Sequence, residues 1–289
     1  MMARHDFRAM GTDVEVHLEA VDGVGTAAAF AEVECMFERF EQLFSRFRPD
    51  STLSQLNANG AAQVSDDFVT VVTLALKARE RTGGRVDPTV HDALVAAGYD
   101  RSFEQLPTDG PLRQPPSPTG GGVRVSGRRV ELDPGTRLDL GGLAKGYAVD
   151  RAVELLSRYG ACLVNAGGDL AVGGGPVATV WPVSVPTPDA PLTIGVRSGG
   201  LATSGRDKRR WRRDGAEQHH LIDPITGLPA ESDLLRVSVA APSAVEAEVL
   251  AKWLFIAGED EAAARADAMA APSVLVTADG RVRLAGGLT

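Results

Sequence analysis

Cysteine is scarce in this chain, and long apolar runs are missing from it. Two cysteines, Cys35 and Cys162, cannot build the disulfide framework of a small secreted domain. Both stand among apolar neighbours, so we expect both side chains to be buried rather than to be reactive thiols. No apolar run reaches the roughly 18 residues that a membrane-spanning helix requires. These shortages argue against a disulfide scaffold and against a helical membrane protein.

The chain also has no excess of positive charge. Its formal net charge is −8 at pH 7, so nothing draws it as a whole to nucleic acid or to anionic lipid. The basic run from Arg206 to Arg213 favours a solvated hairpin, or a contact with a phosphate or an acidic partner, over a nucleic-acid surface. The beginning, MMARHDFRAMGTDVEVHL, has neither a signal-peptide core nor a cysteine that could carry a lipid. We therefore expect a cytoplasmic protein with no membrane anchor and no nucleic-acid partner.

What is present is an ordinary globular composition, 44% hydrophobic and 24% charged over 289 residues. That is enough chain for a sizeable core. The stretch from Thr108 to Gly122 is rich in proline and glycine, but strand patterns resume directly after it. It therefore indicates a flexible loop rather than a boundary, and we predict a single domain over residues 1–289.

Helical and strand patterns alternate along the chain. TDVEVHLEA alternates with period two and predicts a strand, and the apolar spacing predicts a helix from about Val24 to Phe44. The following SRFRPDSTLSQLNANG is turn-rich and short of core residues. Near the end, Asp279 and Gly280 predict a hairpin turn. Helices interleaved with antiparallel-looking strands favour the α+β class, a compact body with a mostly antiparallel sheet and packed helices.

Two stretches cluster glycines and charged residues where a strand meets a turn. LDLGGLAKG places Asp139, a glycine turn and Lys145 at a predicted helix start, where N–H groups and an ammonium suit an anion. NAGGDL places paired glycines before Asp169, which suits close approach of a ligand to the backbone. A tight strand–helix turn explains the first stretch equally well, and a tight hairpin explains the second nearly as well.

The stretch HHLIDPITG combines His219 and His220 with Asp223 and a proline-containing turn. Histidine is the natural acid or base near neutral pH. The pair lacks the H-x-x-x-H spacing of a metal site, so we interpret it as a candidate for acid–base chemistry. A histidine on an ordinary surface is the alternative. The chain shows no nucleophile elbow, no Walker loop and no dinucleotide-binding fingerprint.

Eight stretches in a fixed order together resemble the FAD:protein FMN transferases, the ApbE family of flavin transferases. They are AMGTDVEV, FSRFRPDSTLSQLN, GRVDPTVHDALVAAGY, LDLGGLAKGYAVD, LVNAGGDL, LATSG, HHLIDPITGLP and VEAEVLAKWLFIAG. They cover the chain from Met10 to about Gly258. The resemblance implies a compact α+β body that binds FAD, usually with Mg²⁺. It also implies transfer of FMN through a phosphoester bond to a threonine or serine of a partner protein, with release of AMP.

The resemblance also implies roles for particular residues. It places His220 where it can activate the acceptor hydroxyl, which is a weak nucleophile without a base or a metal. The FAD contacts that it implies are Met10, Phe47, Arg85, Val86, Asp87, Asp139, Lys145 and Leu221. The metal ligands that it implies are Gly142 through its carbonyl, Glu248 and Ala251.

The sequence departs from the family pattern at the metal. The late helix of the family carries Asp and, four residues later, Thr on one helix face, and here these places hold Glu248 and Lys252. Glu248 can still bind a cation, whereas a protonated lysine cannot. We predict that Lys252 replaces the ion. An ordinary surface ion pair between the two side chains is the alternative.

Three functions stay open at this point. The first is a flavin transferase with a modified metal site. The second is an FAD-binding protein or FAD pyrophosphatase with little or no transferase activity, and the third is a scaffold without a ligand. Asp139, Lys145 and His220 favour the enzyme over the scaffold, and Lys252 favours the binding protein.

Overall fold

The computed structural model describes residues 2–19, 23–111, 119–176 and 179–288. Its α-helices are α1 (Gly23–Phe44), α2 (Thr52–Asn59), α3 (Asp66–Arg81), α4 (His91–Ala96), α5 (Ala144–Leu156), α6 (Ala244–Ala257) and α7 (Glu259–Met269). Its strands are β1 (Met2–Ala9), β2 (Thr12–Glu19), β3 (Ala61–Gln63), β4 (Val123–Ser126), β5 (Arg129–Leu132), β6 (Cys162–Ala166), β7 (Asp169–Gly173), β8 (Trp181–Val185), β9 (Leu192–Val196), β10 (Gly199–Gly205), β11 (Arg210–Arg213), β12 (Ala216–His219), β13 (Ile222–Asp223), β14 (Leu228–Pro229), β15 (Leu234–Ala241), β16 (Ser273–Thr277) and β17 (Val282–Ala285). Helices and mostly antiparallel strands in one chain confirm the predicted α+β class.

The chain divides into two compact units. The first unit comprises Met1–Glu41, Ala144–Ser204 and Asp233–Thr289, and the second comprises Gln42–Leu143 and Gly205–Ser232. The single domain over residues 1–289 stays a prediction, because two such units can belong to one domain or to two. Of the predicted loop from Thr108 to Gly122, residues 112–118 lie outside the described part of the chain.

An eight-stranded sheet with the order β1-β2-β6-β7-β10-β15-β16-β17 forms the base of the first unit. Two tight hairpin turns lie side by side at one end of it, because Val14 of β2 pairs with Ala166 of β6. Met10-Gly11 joins β1 to β2, and Gly167-Gly168 joins β6 to β7. All four residues have positive φ, as type I′ turns between antiparallel strands require. NAGGDL is therefore a tight hairpin, and that hairpin places Asp169 at the start of β7.

Helices α5 and α6 of the first unit cross closely. A Cβ on Gly146 would lie 2.8 Å from the backbone nitrogen of Val245, so a glycine permits this approach. Asp150 of α5 accepts hydrogen bonds from the backbone N–H groups of Ala244 and Val245, at 2.7 and 3.0 Å. It thereby satisfies N–H groups that the start of α6 leaves without a helical partner. The crossing sets the positions of side chains on both helices.

The 22-residue helix α1 confirms the helix predicted from Val24 to Phe44. Phe37 and Phe40 are fully buried along its apolar stripe. Cys162 is buried as expected, whereas Cys35 is exposed, so the expectation for Cys35 is wrong. Cys35 stands two residues before Phe37, and a period of 3.6 residues turns it to the opposite face of the helix. Within the described ranges, neither α1 nor any other helix has the length and apolarity to cross a membrane.

In the second unit, helix α2 corrects the expectation that SRFRPDSTLSQLNANG is turn-rich and short of core residues. Its Leu53 and Leu56 are fully buried. The side chain of Ser51 accepts a hydrogen bond from the Ser54 N–H at 3.0 Å and caps the helix start. Gly60, with φ +74°, ends the helix. The serine and the glycine that suggested turns are the two caps of a short helix.

Candidate functional site

Three charged side chains of the first unit form a buried group, which we call the Lys145 cluster: Lys145, Asp169 and Glu248. The ammonium of Lys145 donates to the carboxylate of Asp169 and to Oε1 of Glu248, the latter at 3.0 Å. The exposed fractions of the three side chains are 16%, 7% and 6%. Burial of a carboxylate requires a compensating partner, and both carboxylates have the same lysine.

The members of the Lys145 cluster come from three elements, which the helix crossing and the hairpin bring together. Lys145 lies in the first turn of α5, Asp169 begins β7 and Glu248 lies on α6. The backbone N–H of Gly146 donates to Oε2 of Glu248 at 3.1 Å. The start of α5 therefore binds an anion, as its sequence suggests, and this anion is a side chain of the protein itself.

Lys252 adds a second positive charge to this cluster. It is half-buried on α6, one helical turn after Glu248. Burial raises the pKa of Asp169, and the nearby charge of Glu248 raises it further. The positive charges of Lys145 and Lys252 oppose this rise. The charge of Lys252 thus reaches Asp169. Because Glu248 is buried and paired with Lys145, the alternative of an ordinary surface pair between Glu248 and Lys252 is wrong.

The residues that the family resemblance implies for a divalent ion do not fit one in this chain. Both oxygens of Glu248 already accept hydrogen bonds. Ala251 offers only its backbone carbonyl, and Lys252 brings a positive charge in place of an oxygen. Among the residues that the structure describes, no three His, Cys, Asp or Glu side chains could hold a metal together. Mg²⁺ takes several oxygen ligands, so we assign no ion to this donor set.

Met10 lies in the hairpin turn beside the one that precedes Asp169. Its φ of +52° is unusual for a residue with a side chain. The N–H of Met10 donates to Oε2 of Glu41 at 2.6 Å, which contributes to holding the turn. In the neighbouring turn, a Cβ on Gly167 would lie 2.3 Å from Oγ1 of Thr12. Strained turns often lie at functional sites, which is compatible with the implied role of Met10.

In the second unit, Arg46 is a buried arginine of the stretch FSRFRPD to which the sequence assigned no role. Its Nε lies 2.7 Å from Oδ2 of Asp139, and its Nη1 donates to the carbonyl of Tyr99 at 2.7 Å. Its guanidinium carbon lies 4.2 Å from the ring centre of Phe47 and 4.5 Å from that of Tyr99. Planar guanidinium groups favour such stacking on aromatic rings. Arg46 therefore joins two residues that the resemblance implies for FAD, Phe47 and Asp139.

Asp139 is held on both sides. One oxygen pairs with Arg46, and the other accepts a hydrogen bond from the N–H of Gly141 at 2.9 Å. Gly141 and Gly142 form the middle of a turn that the bond from the Leu143 N–H to the Leu140 carbonyl closes. The glycine turn in LDLGG therefore positions the carboxylate of Asp139, and Gly142 lies in that turn.

In the segment Arg85-Val86-Asp87, the charged side chain of Arg85 is partly exposed, whereas the other two side chains are buried. The guanidinium of Arg85 lies 3.3 Å from a carboxylate oxygen of Asp223. Val86 is buried. The carboxylate of Asp87 is buried too and accepts hydrogen bonds from the N–H and the hydroxyl of Thr89, at 2.8 and 2.7 Å. Asp87 therefore shapes this loop from the inside.

The two histidines of HHLIDP differ in environment. His219 is buried, and its Nδ1 accepts a hydrogen bond from the N–H of Leu221 at 3.3 Å. Its Nε2 lies 3.2 Å from the carbonyl of Ala230 and can donate to it only when it carries the proton. This pattern requires a neutral ring, and burial lowers the pKa of His219 accordingly. His219 thus holds Leu221, which is itself fully enclosed.

His220 is half-buried, and its Nδ1 lies 3.4 Å from the carbonyl of Arg209. A carbonyl only accepts, so Nδ1 donates here when it carries the proton, and the lone pair is then on Nε2. A general base requires an unprotonated ring nitrogen, which Nε2 is in that tautomer. Of the two neighbours, His220 therefore has the arrangement that suits proton abstraction.

We expect His219 to make the protein less stable as the pH falls. The folded state resists protonation of His219, whereas the unfolded chain takes up a proton near the ordinary value of 6.5. Below that value the unfolded state binds more protons, so the free energy of unfolding decreases until the pH passes the lowered folded pKa. Urea unfolding of the protein and of His219→Gln at a series of pH values between 7.5 and 5 checks this. His219→Gln should flatten the decrease. Equal slopes for the two proteins would contradict the neutral, buried ring.

Comparisons with known proteins first define the class of fold. The structure superposes on the crystal structure of the ApbE protein from Thermotoga maritima with a TM-score of 0.85. That superposition covers 99% of this chain and 97% of the other, at 26% sequence identity. A flavinyl transferase ApbE from Pseudomonas stutzeri shares the fold with a TM-score of 0.83 at 23% identity, over 99% and 95% of the two chains. The fold is that of the ApbE proteins.

Sequence comparison then establishes the family. The family model described as the ApbE family matches residues 10–278. An FAD:protein FMN transferase of Treponema pallidum is 31% identical over 290 aligned residues, which cover 90% of this chain and 80% of that protein. A second one, from Haemophilus influenzae, is 28% identical over 280 residues, 88% and 80% of the two chains. This chain belongs to the ApbE family.

Proposed function

We propose that this protein is an FAD:protein FMN transferase. It binds FAD, transfers FMN to a threonine or serine hydroxyl of a partner protein and releases AMP. The observation that carries the proposal is the family match over residues 10–278, together with relatives that are named for this activity. The contact between Nδ1 of His220 and the carbonyl of Arg209 also supports it, since this contact suits the tautomer with its lone pair on Nε2 and the reaction requires a base for the acceptor hydroxyl.

In the proposed reaction the acceptor oxygen attacks the phosphorus on the FMN side of the FAD pyrophosphate. The new phosphoester bond forms as the bond from that phosphorus to the bridging oxygen breaks, and AMP leaves with the bridging oxygen. Nε2 of His220 takes the proton of the acceptor hydroxyl. A positioned base of this kind contributes about 10²–10⁴ to a rate. No step is routed through a metal ion.

The residues that we propose as FAD contacts are Met10, Phe47, Arg85, Val86, Asp87, Asp139, Lys145 and Leu221. The stacked ring of Phe47 and the doubly held carboxylate of Asp139 support part of this set, because both are fixed before a ligand arrives. Preorganised groups lose little freedom on binding. Val86 and Leu221 are buried and support the shape of their loops.

The direct test combines the protein, FAD and synthetic peptides that each carry one threonine or serine. We expect one peptide to gain the mass of FMN while AMP appears in equal amount, and the same peptide with valine in place of threonine to stay unmodified. AMP without modified peptide would indicate an FAD pyrophosphatase, and bound FAD without AMP would indicate a binding protein. Absence of FAD binding at high micromolar ligand would contradict the proposal as a whole.

A further inference from the structure

We propose that the Lys145 cluster, together with Lys252, takes no divalent ion, and that the N–H groups of its two lysines bind the FAD pyrophosphate in place of an ion. The pyrophosphate part rests on the proposed function. The part that concerns the metal depends only on four side chains of the first unit. In this flavin transferase, lysine side chains of the protein then take the place of the metal ion.

The charges of the four side chains are already balanced. In their ionised forms, Asp169 and Glu248 contribute two negative charges, and Lys145 and Lys252 contribute two positive ones. A divalent ion added to this centre would meet like charge from both ammonium groups in a place with little water. Such repulsion is strong where solvent does not screen it. A site for a divalent ion requires the opposite, an excess of carboxylate over ammonium charge.

The geometry of Glu248 also opposes a metal. Its Oε1 accepts from Lys145 at 3.0 Å and its Oε2 from the Gly146 N–H at 3.1 Å. An ion bound at Oε1 would share that oxygen with the Lys145 ammonium, which carries the same sign of charge. Helix α5, which carries Lys145, is fixed against α6, because Asp150 binds the N–H groups of Ala244 and Val245.

Lys145 cannot leave the cluster at low cost either. It is the ion-pair partner of both buried carboxylates, and a buried carboxylate without a partner is strongly unfavourable. The ammonium groups therefore stay, and their chemistry suits phosphate. Lysine binds phosphate groups as a compact positive charge with several N–H donors. The pyrophosphate of FAD consists of two such phosphate groups.

A titration of the metal-free protein with Mn²⁺, followed by the paramagnetic resonance signal of the free ion, tests the metal part without FAD. We expect no binding by the unchanged protein in the micromolar range. Lys252→Thr removes the charge and supplies an oxygen, so it should bind Mn²⁺ at least about tenfold more tightly. Lys77→Thr, the same change on the exposed face of α3, should behave like the unchanged protein. Lys252→Met removes the charge without supplying an oxygen, so it should fall between the two.

A second titration, of FAD fluorescence with EDTA or with Mg²⁺, tests the pyrophosphate part. The unchanged protein should bind FAD equally well in both conditions. Lys252→Met should weaken binding about tenfold in both conditions, and Lys252→Thr should weaken it with EDTA and recover with Mg²⁺.

Micromolar Mn²⁺ binding by the unchanged protein would overturn the proposal. So would FAD binding that requires Mg²⁺, or Mn²⁺ binding that neither variant of Lys252 alters. If FAD binds in neither condition, the proposed function and the pyrophosphate part both fail, and the Mn²⁺ titration decides the metal part by itself. Lys252→Met keeps an aliphatic side chain on α6, so both titrations can use this variant if Lys252→Thr fails to fold.

Discussion

Replacing His220 by alanine is expected to lower the rate of FMN transfer by about 10²–10⁴ and to leave the affinity for FAD nearly unchanged. The reason is the role that we propose for His220. With its proton on Nδ1, toward the carbonyl of Arg209, the ring has its lone pair on Nε2, which we propose as the acceptor of the hydroxyl proton. Removing the ring removes that proton acceptor and none of the proposed FAD contacts.

Transfer of FMN to a threonine peptide in a single turnover measures the rate, and fluorescence titration measures the FAD affinity separately. His91→Ala in α4 is the matched control and should keep the full rate. Imidazole added to His220→Ala should restore part of the rate, because it can enter the space that the ring leaves. A variant that transfers FMN at the full rate would contradict the role of His220, and so would one that only loses FAD affinity.

The distinction between His219 and His220 illustrates what the sequence could not supply. The motif HHLIDP identified the pair, because two histidines next to a turn are unusual. The motif alone could not separate them, and only the family resemblance favoured His220, since the physical difference depends on the carbonyl of Ala230 for one ring and that of Arg209 for the other. Those partners reach the histidines through strand pairing and loop folding, which a local pattern does not encode.

The fold was predictable where one apolar period continues over many residues. Helix α1 and strand β2 follow from such periods, and they occur as expected. Helix α2 has only two buried leucines, so its pattern is too short to stand out among polar residues. Its capping residues, Ser51 and Gly60, are the same residue types that form turns. Local patterns of this length do not separate the two structures.

The candidate site shows the same limit over longer distances. The motifs identified Lys145 and Glu248, but nothing in them indicated that the two side chains pair with each other and with Asp169. That pairing depends on the close crossing of α5 and α6, which Gly146 permits. The sequence shows Gly146, but helix α6, which packs against it, lies far along the chain, so no local pattern links the two.

Arg46 gives the second large expected effect: Arg46→Ala should lower the free energy of unfolding by about 3–5 kcal/mol. Only 6% of its side chain is exposed, and 12% of that of Asp139. Without the guanidinium, Asp139 keeps a buried charge with no ionic partner, and the rings of Phe47 and Tyr99 lose the plane on which they stack. Urea unfolding followed by tryptophan fluorescence measures this, because Trp211 packs on Tyr99 with ring centres 5.3 Å apart.

The control for Arg46 is an arginine whose ion pair faces solvent. The side chains of Arg128 and Asp66 are 64% and 75% exposed, and Arg128→Ala should change the unfolding free energy by less than about 1 kcal/mol. Arg46→Lys keeps the charge but loses the planar fork that reaches Asp139 and the Tyr99 carbonyl together, so it should recover only part of the loss. A cost for Arg46→Ala as small as that for Arg128→Ala would mean that water replaces the guanidinium beside Asp139. Full recovery in Arg46→Lys would mean that charge alone, without stacking, holds the carboxylate in place.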